Sequence, residues 1–170
     1  DTLSETASGF KKFKDFVGEE KCVVVYGDNF FQLDLKNFEK FHEEKEGIMS
    51  MTLKHWENPT AKGIVGLDKN QRIVSFKEKP KPEEVTTNLG NAGIYIVNPE
   101  IFSHIPDDRD YDFSKDIFPN LLLKEKMYGY ELSGYHVDIG TIDMLEKARV
   151  DFDKIFTNKA VFLDRDGVLN

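Results

Sequence analysis

A single cysteine, Cys22, occurs in 170 residues, so no disulfide can close within the chain, and a reducing, cytoplasmic setting is expected. No apolar run approaches the roughly 18 residues of a membrane-spanning helix, and the polar opening DTLSETASG has none of the parts of a secretory signal. Basic residues are outnumbered, 23 lysines and arginines against 31 aspartates and glutamates, and the resulting net charge of −8 leaves no cationic excess to displace counterions from nucleic acid or an anionic membrane. A small anionic ligand would therefore need a metal ion or a local cationic pocket. His42, His55 and His104 stand apart, with no cysteine or histidine at metal-ligand spacing, and read as helix or loop residues. Repeats and low-complexity tracts are absent. What is present is a 39% hydrophobic, 12% aromatic chain, long enough for one domain with a substantial core.

Strand-like runs alternate with helical patterns, which predicts an α/β fold with a mostly parallel sheet and helices on both faces. KCVVVYGD is a short continuous apolar run, suited to a strand buried on both faces, and GIMSMTL returns to the sheet. Between them Leu35, Phe38, Phe41 and His42 recur at helical spacing behind Asp34, an N-cap candidate. KGIVGLDKNQRIVSFKEKP has the form of a β-hairpin turning at Asp68 to Asn70. NAGIYIV is a further strand, followed by Asn98 and Pro99 as cap and first turn of a helix. Thr141 begins the last helix, with Leu145, Ala148, Phe152 and Ile155 on one apolar stripe. The stripe ends near Thr157, where KAVFLD starts a new strand, so residues 1–156 form one domain and 157–170 a linker with the first strand of another.

Two strand ends carry acids. VVVYGD delivers Asp28 behind Gly27, and YHVDIGT delivers Asp138 ahead of Gly140; the carboxyl ends of strands are where open α/β sheets bind ligands. Between them lie SFKEKP, with Glu78 and Lys79 beside a stiffening proline, and NAGIYIVNPEIF. In this order and spacing the four segments resemble the sugar nucleotidyltransferases. The resemblance runs over about residues 3 to 150 and includes TASG, YGDNFFQLDL, FKEKP, NAGIYIVNPEIF, DIFPNLL and GYHVDIGT. It implies a Rossmann-like nucleotide-diphospho-sugar transferase fold, with Asp28 and Asp138 holding Mg²⁺, Glu78 bonded to sugar hydroxyls, Lys79 on the sugar phosphate, and Asn91 and Gly93 lining the sugar pocket. The implied substrates are a sugar 1-phosphate and an NTP, with pyrophosphate released. Such a reaction brings two anions together, so charge neutralisation and alignment are what it needs, and hard carboxylate oxygens suit Mg²⁺.

Glu5 stands where that family usually has glycine, and His136 where it often has tryptophan. The family's opening strand and Gly-rich phosphate loop would precede Asp1. The expectation is therefore that these 170 residues alone carry no transfer activity, and that a preceding segment, or another copy in a homo-oligomer, covers the sheet beside CVVVYG.

The ending, AVFLDRDGVLN, resembles the first motif of haloacid dehalogenase-type phosphatases of the heptose-bisphosphate and histidinol-phosphate group. The resemblance implies that Asp164 is nucleophile and metal ligand and that Asp166 is the acid/base. The pairing points to a bifunctional enzyme acting on D-glycero-D-manno-heptose 1-phosphate, with GTP as nucleotide donor, while glucose, mannose or an amino sugar stays open as the sugar. Two alternatives stand beside it: a parent protein that is chiefly the phosphatase with a degenerate, sugar-phosphate-sensing transferase domain, and a non-catalytic binding module.

Overall fold

Residues 4–155 are described in the computed structural model. Two short helices, α1 (Thr6–Lys11) and α2 (Lys14–Val17), lead into β1 (Cys22–Val25), then β2 (Asn29–Phe31), helix α3 (Leu35–Lys45) and β3 (Met49–His55). A hairpin of β4 (Gly63–Leu67) and β5 (Ile73–Glu78) precedes the long strand β6 (Leu89–Val97). Helical turns at Pro99–His104 and Phe113–Ile117 run into α4 (Phe118–Leu122), followed by β7 (Met127–Glu131), β8 (His136–Asp138) and α5 (Ile142–Ile155). None of these helices is long and apolar enough to cross a membrane.

The local signals act as expected at several ends. The Asn37 amide donates to Asp34 Oδ1 at 3.1 Å, capping α3. The Asp68 carboxylate accepts from the amides of Asn70 and Arg72 and closes the hairpin. Asn98 differs: its side chain makes no cap bond to the turn that follows, because it donates to Gly47 O at 2.9 Å and faces His42 Nε2 at 3.1 Å.

The main sheet runs β5-β4-β6-β3-β7, with β1 also on β6. The α/β class and the helices on both faces are present, but the sheet is mixed. Among the described residues only β3 and β7 pair in parallel; β1 and β3 both run antiparallel to β6, and β4 pairs antiparallel with β5 and β6. The reason lies in the insertion of β6. It returns from the hairpin and lies between two strands that run the same way, so a pattern that reads as alternating units along the chain becomes antiparallel in space.

Side chains alternate across the sheet. Met49, Met51 and Leu53 of β3, with Tyr95 and Val97 of β6, join Phe113, Ile117, Phe118 and Leu121 in the larger core. Ile94 and Ile96 face the other way, onto Phe38 of α3. On that second face Ser50 and Thr52 are fully buried and satisfied: Thr52 donates to Ile94 O at 3.0 Å, and Ser50 meets His42 Nδ1 at 2.9 Å.

His42 is thus a buried helix residue whose pKa is lowered, first by burial. A histidine that binds protons less readily when folded contributes stability above its ordinary value of 6.5, and that contribution is lost as pH falls below it. Urea midpoints measured from pH 7.5 down to 5 should therefore fall, and His42→Asn should flatten that slope; an unchanged slope would exclude His42 as its source.

Strand β1 departs from the expectation of burial on both faces. Among the described residues it pairs only with β6, and Val23 and Val25 are 48% and 42% exposed. Phe13 and Phe16, from the adjoining helical segment, are 55% and 89% exposed.

Candidate functional site

Chain direction brings Asp28 and Asp138 together. Tyr26 donates its amide to Gly93 O at 3.0 Å, carrying the end of β1 across β6, and the chain turns at Gly27 and Asp28 into β2. There β2 pairs antiparallel with β8, with Asn29 opposite Asp138 and Phe31 opposite His136. The amide of Ile139 donates to Asp28 O at 2.8 Å and locks the two acidic turns side by side. A Cβ placed on Gly140 would stand 3.0 Å from Asp138 Oδ1 and 3.5 Å from Asp28 Oδ2, so both carboxylates border one small space that glycine leaves open.

The opposite wall comes from the hairpin and the bulge of β6. Glu78 ends β5, and Lys79 follows in the left-handed region at φ 43°, its amide bonded to Lys62 O at 3.1 Å. A lysine there is strained, and the strain aims the residue after Glu78 into the cleft wall. Gly93 lies at φ 78°, where a Cβ would come within the contact distance of Asn29 Nδ2. Glycine is required at this position by the close approach of β2. Asn91 accepts from the Gly93 amide at 2.9 Å and donates to the buried Tyr95 hydroxyl at 2.8 Å, so its side chain is fixed before any ligand arrives.

These residues line one cleft of about 280 Å³: Asp28, Glu78, Lys79, Asn91, Gly93 and Asp138 all border it. The structure thus brings together every site residue expected in residues 1–156. Asp164 and Asp166 lie outside the described residues, as does the segment 157–170. The sequence reading missed Lys62, Tyr26 and Ser114, which also line the cleft. Trp56 is in the wall, with the ammonium of Lys62 4.5 Å and that of Lys54 5.1 Å from its ring centre. A second cavity, of about 630 Å³, adjoins the first and shares Trp56, Ala61, Lys62 and Asp138 with it.

The electrostatics separate the acids. Burial alone would raise the Asp138 carboxyl, but the Lys62 ammonium at 2.5 Å, the Gly140 amide at 2.9 Å and the positive surroundings outweigh it and hold the group below the usual carboxylate range. Glu78 goes the other way: burial raises it, repulsion from Asp112 adds, and Lys79, Lys115 and Lys62 offset only part. His136, two residues before Asp138 on β8, is buried and its pKa is lowered by that burial. Its Nε2 meets Ala92 O at 2.8 Å as the donor, which leaves Nδ1 unprotonated and without a partner among the described residues.

Among the described residues no three His, Cys, Asp or Glu side chains converge as a metal site. Two carboxylates at one open space nevertheless fit Mg²⁺, which keeps most of its water and takes one or two carboxylates plus substrate phosphates. They do not fit a structural zinc site, which needs four protein ligands.

Comparison with known proteins agrees with this architecture. The family model described as "Nucleotidyl transferase" matches residues 2–154. A UTP–glucose-1-phosphate uridylyltransferase of Synechocystis sp. is 35% identical over 142 residues, covering 81% of this chain and 37% of that protein. A glucose-1-phosphate adenylyltransferase of Desulfitobacterium hafniense is 30% identical over 171 residues, covering 88% and 42%. The chain therefore spans about two fifths of the length of these curated relatives. Among solved structures, a Bacillus anthracis protein in complex with sucrose superposes with a TM-score of 0.81 at 24% identity, covering 94% of this chain and 65% of that one. HddC from Yersinia pseudotuberculosis gives 0.73 at 22% identity, covering 89% and 64%. At these identities the two structures speak for the fold alone.

Proposed function

The chain belongs to the nucleotidyl transferase family, and on that premise we propose that its cleft is the sugar-phosphate side of an active site that joins a nucleotide to a sugar 1-phosphate. The observation that supports this most is the meeting of Asp28 and Asp138 beside Gly140, in one cleft with Glu78 and Lys79. In the proposed reaction a phosphate oxygen of the sugar 1-phosphate attacks the α-phosphorus of an NTP. The new P–O bond forms as the bond to the bridging oxygen breaks, and pyrophosphate leaves with the electron pair. Asp28 and Asp138 would hold Mg²⁺, which when bound neutralises phosphate charge. Lys79 places a point charge on the incoming phosphate, Glu78 accepts from sugar hydroxyls, and Asn91 and Gly93 shape the sugar pocket. The exposed Val23 and Val25 support a preceding segment, or another copy of the chain, along β1.

Two observations point to different substrates. The terminal Asp164-Arg-Asp166-Gly motif supports D-glycero-D-manno-heptose 1-phosphate with GTP. In that reading a fused phosphatase, with Asp164 as nucleophile and Asp166 as acid/base, supplies the sugar 1-phosphate by removing the second phosphate of a bisphosphate. The names of the curated relatives support glucose 1-phosphate with UTP or ATP. Pyrophosphate release by the whole protein, assayed with each of GTP, UTP and ATP against each sugar 1-phosphate in Mg²⁺, separates them. No release with any pair would reject the transferase reading and favour a sensing domain. Asp164→Asn should silence phosphate release from a heptose bisphosphate and leave pyrophosphate release intact.

Glu78 supplies a pH signature. Its carboxylate is the stronger acceptor for a sugar hydroxyl when ionised, and its pKa is raised from the ordinary 4.5 by burial. Sugar 1-phosphate affinity should accordingly begin to fall at a higher pH than an ordinary glutamate dictates, in a window where Asp138, held low, stays charged. For the unliganded fold the same shift acts in the opposite sense: the stability contributed by the protonated group is lost as pH rises through the folded value. Glu78→Gln should weaken binding at neutral pH about tenfold, the worth of one hydrogen bond to a charged group. The ratio of the two proteins' affinities should shrink towards acid, and a ratio independent of pH would remove Glu78 from the sugar contact.

A further inference from the structure

Lys62 is the charged residue of the cleft lining to which the function proposed above gives no task. Its ammonium lies 2.5 Å from Asp138 Oδ2 and 4.5 Å from the Trp56 ring centre, and its backbone carbonyl accepts from the Lys79 amide. The two lysines are therefore fixed to each other through the main chain and open onto the same cleft.

The ion pair is not needed to orient Asp138. Asn29 pairs with Asp138 across β2 and β8, and the Gly140 amide holds Oδ1, the oxygen that borders the space shared with Asp28. What Lys62 adds is charge. Asp28, Glu78 and Asp138 face Lys62 and Lys79, so the cleft as it stands holds three acids against two ammonium groups. A divalent cation between Asp28 and Asp138 would set a second positive charge across one carboxylate from Lys62, and the ammonium then needs another anion. Lys54, which also faces the Trp56 ring, is already committed to His136 O. Lys62 has four methylenes of reach and is about a quarter exposed, which lets it turn towards the cleft without unpacking the wall.

Building on the function proposed above, we infer that Lys62 is a second phosphate-binding lysine, held on Asp138 until a divalent cation takes over that carboxylate and then transferred to the anionic group of the sugar 1-phosphate. The exchange couples the two ligands: the cation frees the lysine for the phosphate, and by reciprocity the phosphate draws the lysine away from the cation's ligand.

Binding measurements on the whole protein test this without turnover. Mn²⁺ alone, followed by the loss of its free paramagnetic signal, should bind Lys62→Met about fivefold more tightly, because the competing ammonium is gone. Glucose 1-phosphate, titrated by calorimetry with and without Mn²⁺, should bind Lys62→Met at least about fivefold more weakly in the presence of the metal, and the gain in affinity that Mn²⁺ confers should shrink. Lys62→Arg keeps the cation and should restore most of the phosphate affinity, which distinguishes a charge role from damage to the wall. Tighter Mn²⁺ with unchanged glucose 1-phosphate binding would reduce Lys62 to a counter-ion and overturn the inference. So would weaker Mn²⁺ binding, which would make Lys62 an orienting group, or no change in either affinity. Asp138→Asn is the control on the underlying reading: unchanged Mn²⁺ binding in that variant would reject the metal site itself, whatever Lys62 does.

Discussion

Asp138→Asn in the whole protein should lower kcat/KM for Mg²⁺-dependent pyrophosphate release by about a thousandfold, some 4 kcal/mol of barrier, the scale of metal stabilisation of a phosphoryl transition state. The substitution is nearly isosteric. An asparagine can still pair through its backbone with Asn29 and still offer an oxygen to the Gly140 amide, so the ribbon of β2 and β8 should persist. What disappears is one of the two negative charges beside Gly140 and the partner of the Lys62 ammonium. The loss should therefore appear in activity with little change in melting temperature. A reduction of less than about fivefold, with the protein folded, would be incompatible with Asp138 as a metal ligand.

Phe118→Ala should produce the largest loss of stability. The ring is fully buried, with Phe76, Tyr95 and Phe113 at centroid distances of 5.4, 5.3 and 5.4 Å. Removing a ring from such a cluster costs about 3–5 kcal/mol, a large share of the total 5–15 kcal/mol of a typical domain. A fall of roughly 10 °C in melting temperature is expected for a chain of this size. The cluster also stands behind the cleft: Phe76 lies two residues before Glu78 on β5, and the Tyr95 hydroxyl holds Asn91. Sugar 1-phosphate affinity should weaken in the variant even at temperatures where it is folded. A melting temperature within 2 °C of the parent would mean that the larger core is organised elsewhere.

The contrast between Lys62 and Asp138 indicates which parts of the site local sequence can reveal. Asp138 sits at a strand end before a glycine, a position that turn geometry and the chemistry of strand ends both mark. Lys62 is one lysine in a polar connector, followed by a glycine that opens the hairpin, and nothing in Ala-Lys-Gly distinguishes it from a solvated surface residue. Its role arises from a contact with a residue 76 positions away. The place of Trp56 in the wall is illegible locally for the same reason, since a pocket rim and a sheet edge require the same amphipathic ring. Asn98 shows the converse: the Asn-Pro pair correctly marks a helical turn, but the side chain's own bonds go to Gly47 and His42, long-range partners that outcompete the local cap.

Sequence alone determined the local elements of this protein. The hairpin about Asp68, the cap at Asp34, the apolar strands, the acidic strand ends and the family to which they belong are all properties of neighbouring residues, and short-range sterics and hydrogen bonds decide them. Tertiary structure alone decided that the sheet is mixed, because insertion of β6 between β1 and β3 depends on how the hairpin returns. It also decided that the turns at Asp28 and Asp138 share one space, through the pairing of β2 with β8, and that Lys62, held by the Lys79 amide in the opposite wall, faces them. Charges separated by most of the chain interact only after the backbone has closed between them, and that closure is a property of the packed sheet rather than of any segment within it.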